Sequence, residues 1–125
     1  MENPRCNINN IKLNIIYKSL VDKFAKDVQC LELKGLSVIA DYFVICSGEN
    51  QPQIKAIVDN VEENLKAAGI TPLRIEGLSN GRWVLLDYDD IIIHIFDGET
   101  RAYYELEKLW LDAPRISLNG EKGLW

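Results

Sequence analysis

The run WVLLDYDDIIIHIF, residues 83–96, fits a half-buried β-hairpin. The commonest hairpin connection is a two-residue loop. Placed at Tyr88-Asp89, it sets Asp87 opposite Asp90, Leu85 opposite Ile92 and Trp83 opposite His94. Side chains alternate across a strand. One face then carries Val84, Leu86, Ile91, Ile93 and Ile95, all aliphatic, and is predicted to be core. The other carries Trp83, Leu85, Asp87, Asp90, Ile92, His94 and Phe96. Charges are depleted from dry cores, and aromatic residues in a mixed patch are typical of interfaces. This second face is therefore the predicted partner surface. A three-residue loop would move His94 to the opposite face from Trp83 and weaken that reading. The plainer reading stands beside it: a lone strand histidine commonly packs, as does a tryptophan near a strand end. Tyr103, Leu106 and Trp110, at helical spacing, read as core, and Glu105, Glu107 and Lys108 as a solvated face.

The other elements flank this hairpin. Apolar residues at 13, 16, 17, 20, 21 and 24 keep the helical period. DVQCLELKG reads as a strand, with Leu31 and Leu33 alternating against Cys30 and Glu32 and Gly35 ending it. DYFVICSG, 41–48, is a second strand. ENQPQIKAIVDNVEENLKAAG is a helix with Asn50 as its cap, Pro52 in its first turn and Gly69 as its stop. Its predicted buried stripe is Ile54, Ile57, Val58, Val61 and Leu65. TPLRIEG gives a short strand, and a last helix starts near Asp97 and ends before Pro114. The order αββαβββα predicts a single α/β domain, a mixed five-stranded sheet with packed helices. It is expected over residues 1–112, with 113–125 a C-terminal tail, loose or docked on a partner.

Composition narrows the function. The chain has 125 residues, 47% apolar and 26% charged, with net charge -5, so it can build one ordinary core. Phosphate neutralisation needs a basic surface, so little direct nucleic-acid binding is expected. Cys6, Cys30 and Cys46 form no C-x-x-C pair, which argues against a disulfide framework or a zinc site. Cys30 and Cys46 read as buried hydrophobes in a reducing compartment. The start, MENPRCNINN, lacks a signal-peptide apolar region, and no apolar run reaches membrane-span length. A cytoplasmic protein is expected.

Catalytic signals are sparse. One histidine and no paired cysteine argue against a triad or Cys/His site. There is no Walker A run and no dinucleotide glycine fingerprint. The best enzymatic hint is SGEN at 47–50 with DYDD at 87–90. Clustered carboxylates serve two-metal phosphoryl transfer, and helix N-termini hold phosphate. That alternative, an active nucleotidyltransferase-like enzyme, would bind nucleotide and metal at Ser47, Asp87 and Asp90. Aspartate is, however, a favoured turn residue, so no catalytic residue, cofactor or metal is expected.

Taken together, ADYFVICSG at 40–48, LRIEG at 73–77, WVLLDYDDIIIHIF at 83–96 and YELEKLW at 104–110 resemble the Iojap-like ribosomal silencing factor family. The resemblance runs from about Leu13 to Trp110 and leaves the tail outside. It implies a nucleotidyltransferase-like fold without that activity, and a homodimer when free. It implies a translation repressor that binds the large ribosomal subunit at its fourteenth protein. Such a repressor blocks joining of the small subunit and lowers translation when nutrients are scarce. With the mixed face, it makes Trp83, Leu85, Asp87, His94 and Tyr104 the expected partner-binding residues.

Overall fold

A computed structural model of the chain describes residues 8–110 and 113–116. The elements are α1 (Ile8–Asp22), β1 (Lys26–Glu32), β2 (Tyr42–Gly48), α2 (Gln51–Ala67), β3 (Arg74–Glu76), β4 (Trp83–Asp87), β5 (Ile91–Asp97) and α3 (Gly98–Tyr104). A 3-10 turn, Leu106–Trp110, follows α3. The expected order αββαβββα is the observed one. The five strands form one sheet in the order β1-β2-β5-β4-β3. The central pair β2 and β5 is parallel and the remaining neighbours are antiparallel, so the sheet is mixed.

α2 forms where its caps and stripe place it. The Asn50 side chain accepts the Gln53 N–H at 2.8 Å, satisfying a donor that the helix leaves free. Gly69 takes φ 83 just past the C-cap. Ile54, Ile57, Val58, Val61 and Leu65 are all buried. They pack with Leu13, Ile16 and Leu20 of α1 against the aliphatic face of the hairpin, Val84, Leu86, Ile91, Ile93 and Ile95. A polar seam sets the two helices in register: Asn60 Nδ2 donates to the Ser19 carbonyl and Asn64 Nδ2 to Ser19 Oγ. The apolar period of α1 stops short of Phe24. The helix ends at Asp22, Phe24 turns to φ 63, and its ring is 80% exposed. The Gln53 side chain holds that turn by donating to the carbonyls of Lys23 and Phe24.

The hairpin differs from the expected register by two residues. Tyr88 N–H donates to the Ile91 carbonyl at 2.9 Å, so the loop is Asp89-Asp90 rather than Tyr88-Asp89. The pairs are Trp83 with Phe96, Leu85 with His94 and Asp87 with Ile92. Two causes are visible. Tyr88 is buried among the helix-side residues, so it behaves as strand. Asp89 takes φ 76 while its N–H is held by the Asp87 carboxylate at 2.9 Å, a turn role suited to aspartate. A slip of two leaves the strand side chains on their expected faces, while Asp90 moves into the loop and pairs with Lys12 of α1.

Residues 113–116 are not a loose tail. They lie along β1: Glu32 N–H donates to the Pro114 carbonyl and Ile116 N–H to the Cys30 carbonyl, both at 2.9 Å. Ala113 and Ile116 are buried. This covers part of a sheet edge that would otherwise be open to pairing. Residues 117–125 lie outside the described residues.

Candidate functional site

The second face of the sheet is layered. Leu31, Leu33, Phe43, Ile45, Ile92 and Phe96 form its buried floor, with Trp83, Leu85 and Leu106 packed at the margin. Trp83 opens β4, half-buried. Its ring lies 4.7 Å from Phe96 and 4.9 Å from Tyr104, centroid to centroid. Its indole N–H donates to His94 Nδ1 at 3.0 Å. The two residues meet diagonally across the strands, within reach of large side chains.

His94 is 4% exposed and packs edge-on to Phe43 at 4.6 Å. Burial pushes its pKa down to about 4, and Nε2 has no hydrogen-bond partner among the described residues. Nδ1 can accept the Trp83 indole N–H only while the imidazole is neutral, so the bond and the low pKa agree. The unfolded histidine, near 6.5, binds a proton before the folded one does. Stability conferred by the neutral ring is complete above about pH 6.5 and declines as pH falls toward 4. His94→Gln should flatten this limb: wild type loses up to about 3 kcal/mol over that window relative to the variant. Urea denaturation of both proteins at pH 7 and pH 4.5 measures it, and parallel losses would refute the assignment.

The expected site residues thus divide by position. Trp83, His94 and Tyr104 come together, with Leu85 directly across from His94. His94 lies beneath the surface rather than on it. Asp87 stands at the hairpin end, where its carboxylate also accepts Arg74 Nε at 3.1 Å. Tyr103, read from its spacing as core, is 81% exposed, and with Tyr104 at 52% it extends the aromatic patch. Beside the patch an open cleft of about 660 Å³ is lined by Arg82, Trp83, Glu99, Thr100, Tyr103 and Tyr104, among others. The short length of α3, seven residues, is why a long stripe reading misplaces Tyr103.

The enzymatic constellation is not assembled. Ser47 is level with Phe96 and Asp87 with Ile92, four residues apart along the strands, or roughly 13 Å. Asp90 is ion-paired with Lys12 at 2.7 Å. Among the described residues no three His, Cys, Asp or Glu side chains are grouped to hold a metal. Burial pushes the Cys46 thiol up to about 12, which removes it as a nucleophile at neutral pH. No helix among the described residues is long and apolar enough to cross a membrane.

A small α/β module presents an aromatic patch, with Asp87 paired to Arg74 and Asp90 to Lys12. The match to known proteins gives that module its family. The model of the family described as "Ribosomal silencing factor during starvation" matches residues 7–123. The chain belongs to this family. It is 43% identical over 108 residues to the ribosomal silencing factor RsfS of Halalkalibacterium halodurans, covering 86% of this chain and 92% of that one. A crystal structure from Bacillus halodurans superposes with TM-score 0.75 at 37% identity, covering 89% of this chain and 99% of that one. One from Chromobacterium violaceum gives 0.78 at 29% identity, with 86% and 88% covered.

Proposed function

We propose that this protein represses translation by binding the large ribosomal subunit at its fourteenth protein, where its body blocks the small subunit from joining. Nutrient limitation is the condition for this action. The reading is non-enzymatic and cytoplasmic. The single observation that carries it is the aromatic patch of half-buried Trp83 and exposed Tyr103 and Tyr104 on a ribosomal silencing factor fold. Aromatic residues at a patch centre supply most of the affinity in typical interfaces. The net charge of -5 favours encounter with a basic ribosomal protein. The free protein is proposed to be a homodimer.

Trp83, Leu85, Asp87 and Tyr104 are the proposed partner-facing residues, and His94 supports Trp83 from below. Cosedimentation with isolated large subunits, followed by addition of small subunits, is the test. Binding to large subunits with loss of joined ribosomes supports the reading. Failure to cosediment, or joining at the control level despite binding, refutes it.

A further inference from the structure

Tyr103 and Tyr104 stand on a seven-residue helix that ends at Glu105 in a left-handed conformation, φ 48. A helix this short has little stability of its own, so something else must fix the direction of its aromatic side chains. The candidate lies on the inner side of the same helix. Arg101 is only 9% exposed. Its Nη1 donates to Ser47 Oγ at 2.9 Å and to the Asp27 carbonyl at 2.8 Å. Its Nε and Nη2 both reach Glu107 Oε2 at 2.9 Å. One guanidinium thereby joins the end of β2, the start of β1, α3 and the 3-10 turn. The Asp27 carbonyl is itself presented by an irregular stretch, φ 50 within a register shift of β1 between Lys26 and Gln29.

We propose that the Arg101–Glu107 pair is the positioning device of the partner-binding segment 98–110, acting on the partner through Tyr104. A buried ion pair is weak evidence for stability, because desolvation offsets its attraction. Its fixed fork geometry does set direction, and direction is what a patch of two tyrosines on two helical turns requires. The partner half of this inference rests on the proposed ribosomal binding; the clamp half does not.

The test uses the full chain and the variant Arg101→Met/Glu107→Leu, which removes both charges and leaves neither orphaned. Without any partner, amide hydrogen exchange in 98–110 should quicken at least tenfold while β2 and β5 keep their protection. Unchanged exchange in 98–110 would overturn the clamp. With large subunits, the variant's affinity per folded molecule should fall at least tenfold. Tyr104→Ala, which alone weakens binding, should then add less than twofold in the variant background. Full additivity would show that the pair does not act through Tyr104 and would overturn the positioning role. If wild type itself fails to bind large subunits, the ribosomal reading falls, and the exchange measurement still decides the clamp. Should the double variant not fold, Arg101→Lys, which keeps the charge and loses the fork, is read in the same way. At least threefold effects on exchange and affinity are expected, and wild-type values for both would overturn the proposal.

Discussion

Trp83→Ala should weaken large-subunit binding by about 2 kcal/mol, roughly 30-fold, as for a typical aromatic anchor. It should also cost stability, because the ring is not merely displayed. It covers Phe96, leans on Tyr104 and satisfies His94 Nδ1. Truncating a fully buried aromatic costs about 3–5 kcal/mol; Trp83 is half-buried, so about 2 kcal/mol is expected. Trp83→Phe separates the two roles. It keeps an aromatic surface but leaves the buried Nδ1 of His94 without its donor, a loss of about 1–2 kcal/mol in stability with little loss of affinity. Binding to large subunits, corrected for the folded fraction from a melting curve, measures both. Unchanged affinity of folded Trp83→Ala would return this residue to the core and move the binding surface elsewhere.

The parts of this molecule that sequence pattern reveals are those set by local chemistry. α2 is legible from end to end because Asn50, Pro52, the five-residue stripe and Gly69 all act within the helix itself. The two faces of the hairpin are legible because alternation survives a slip of two. The register is not: YDD offers more than one two-residue loop, and only the burial of Tyr88 against the helices selects Asp89-Asp90. The end of α3 is hidden because its left-handed residue is Glu105 rather than glycine. The docking of 113–116 on β1 depends on a strand more than eighty residues away, beyond any local signal.

The site divides in the same way. That Trp83 and His94 share a face follows from parity. That His94 lies under the surface follows from Phe43, on a neighbouring strand that joins β5 only through the parallel pairing. Arg101 carries no local mark either. An arginine in a short amphipathic segment reads as solvent-facing, and its burial requires Ser47, Asp27 and Glu107 to arrive from three other segments.

Gly77→Ala should be among the most damaging single substitutions, costing on the order of 3–5 kcal/mol, although the residue lies in an exposed loop. Gly77 has φ 87, and a Cβ built there would sit 2.0 Å from the Trp83 carbonyl oxygen, 3.1 Å from its carbon and 3.4 Å from Val84 Cα. All three atoms are backbone, so none can rotate away. Relief requires moving either the loop or the start of β4. The loop is tied by the Gly81 N–H to Gly77 carbonyl bond at 2.9 Å, and β4 by its ladders to β3 and β5. Moving β4 would shift Trp83 off Phe96 and His94, so affinity for the large subunit should fall together with stability. Gly35→Ala is the internal control. Gly35 has a similar φ of 81 but nothing within 4 Å of its built Cβ. It should show only the conformational cost of placing alanine in the left-handed region, about 1–2 kcal/mol. Urea denaturation of both variants compares them directly. Equal losses would show that backbone conformation alone sets the cost at Gly77, and that its close approach to Trp83 does not hold the anchor in place.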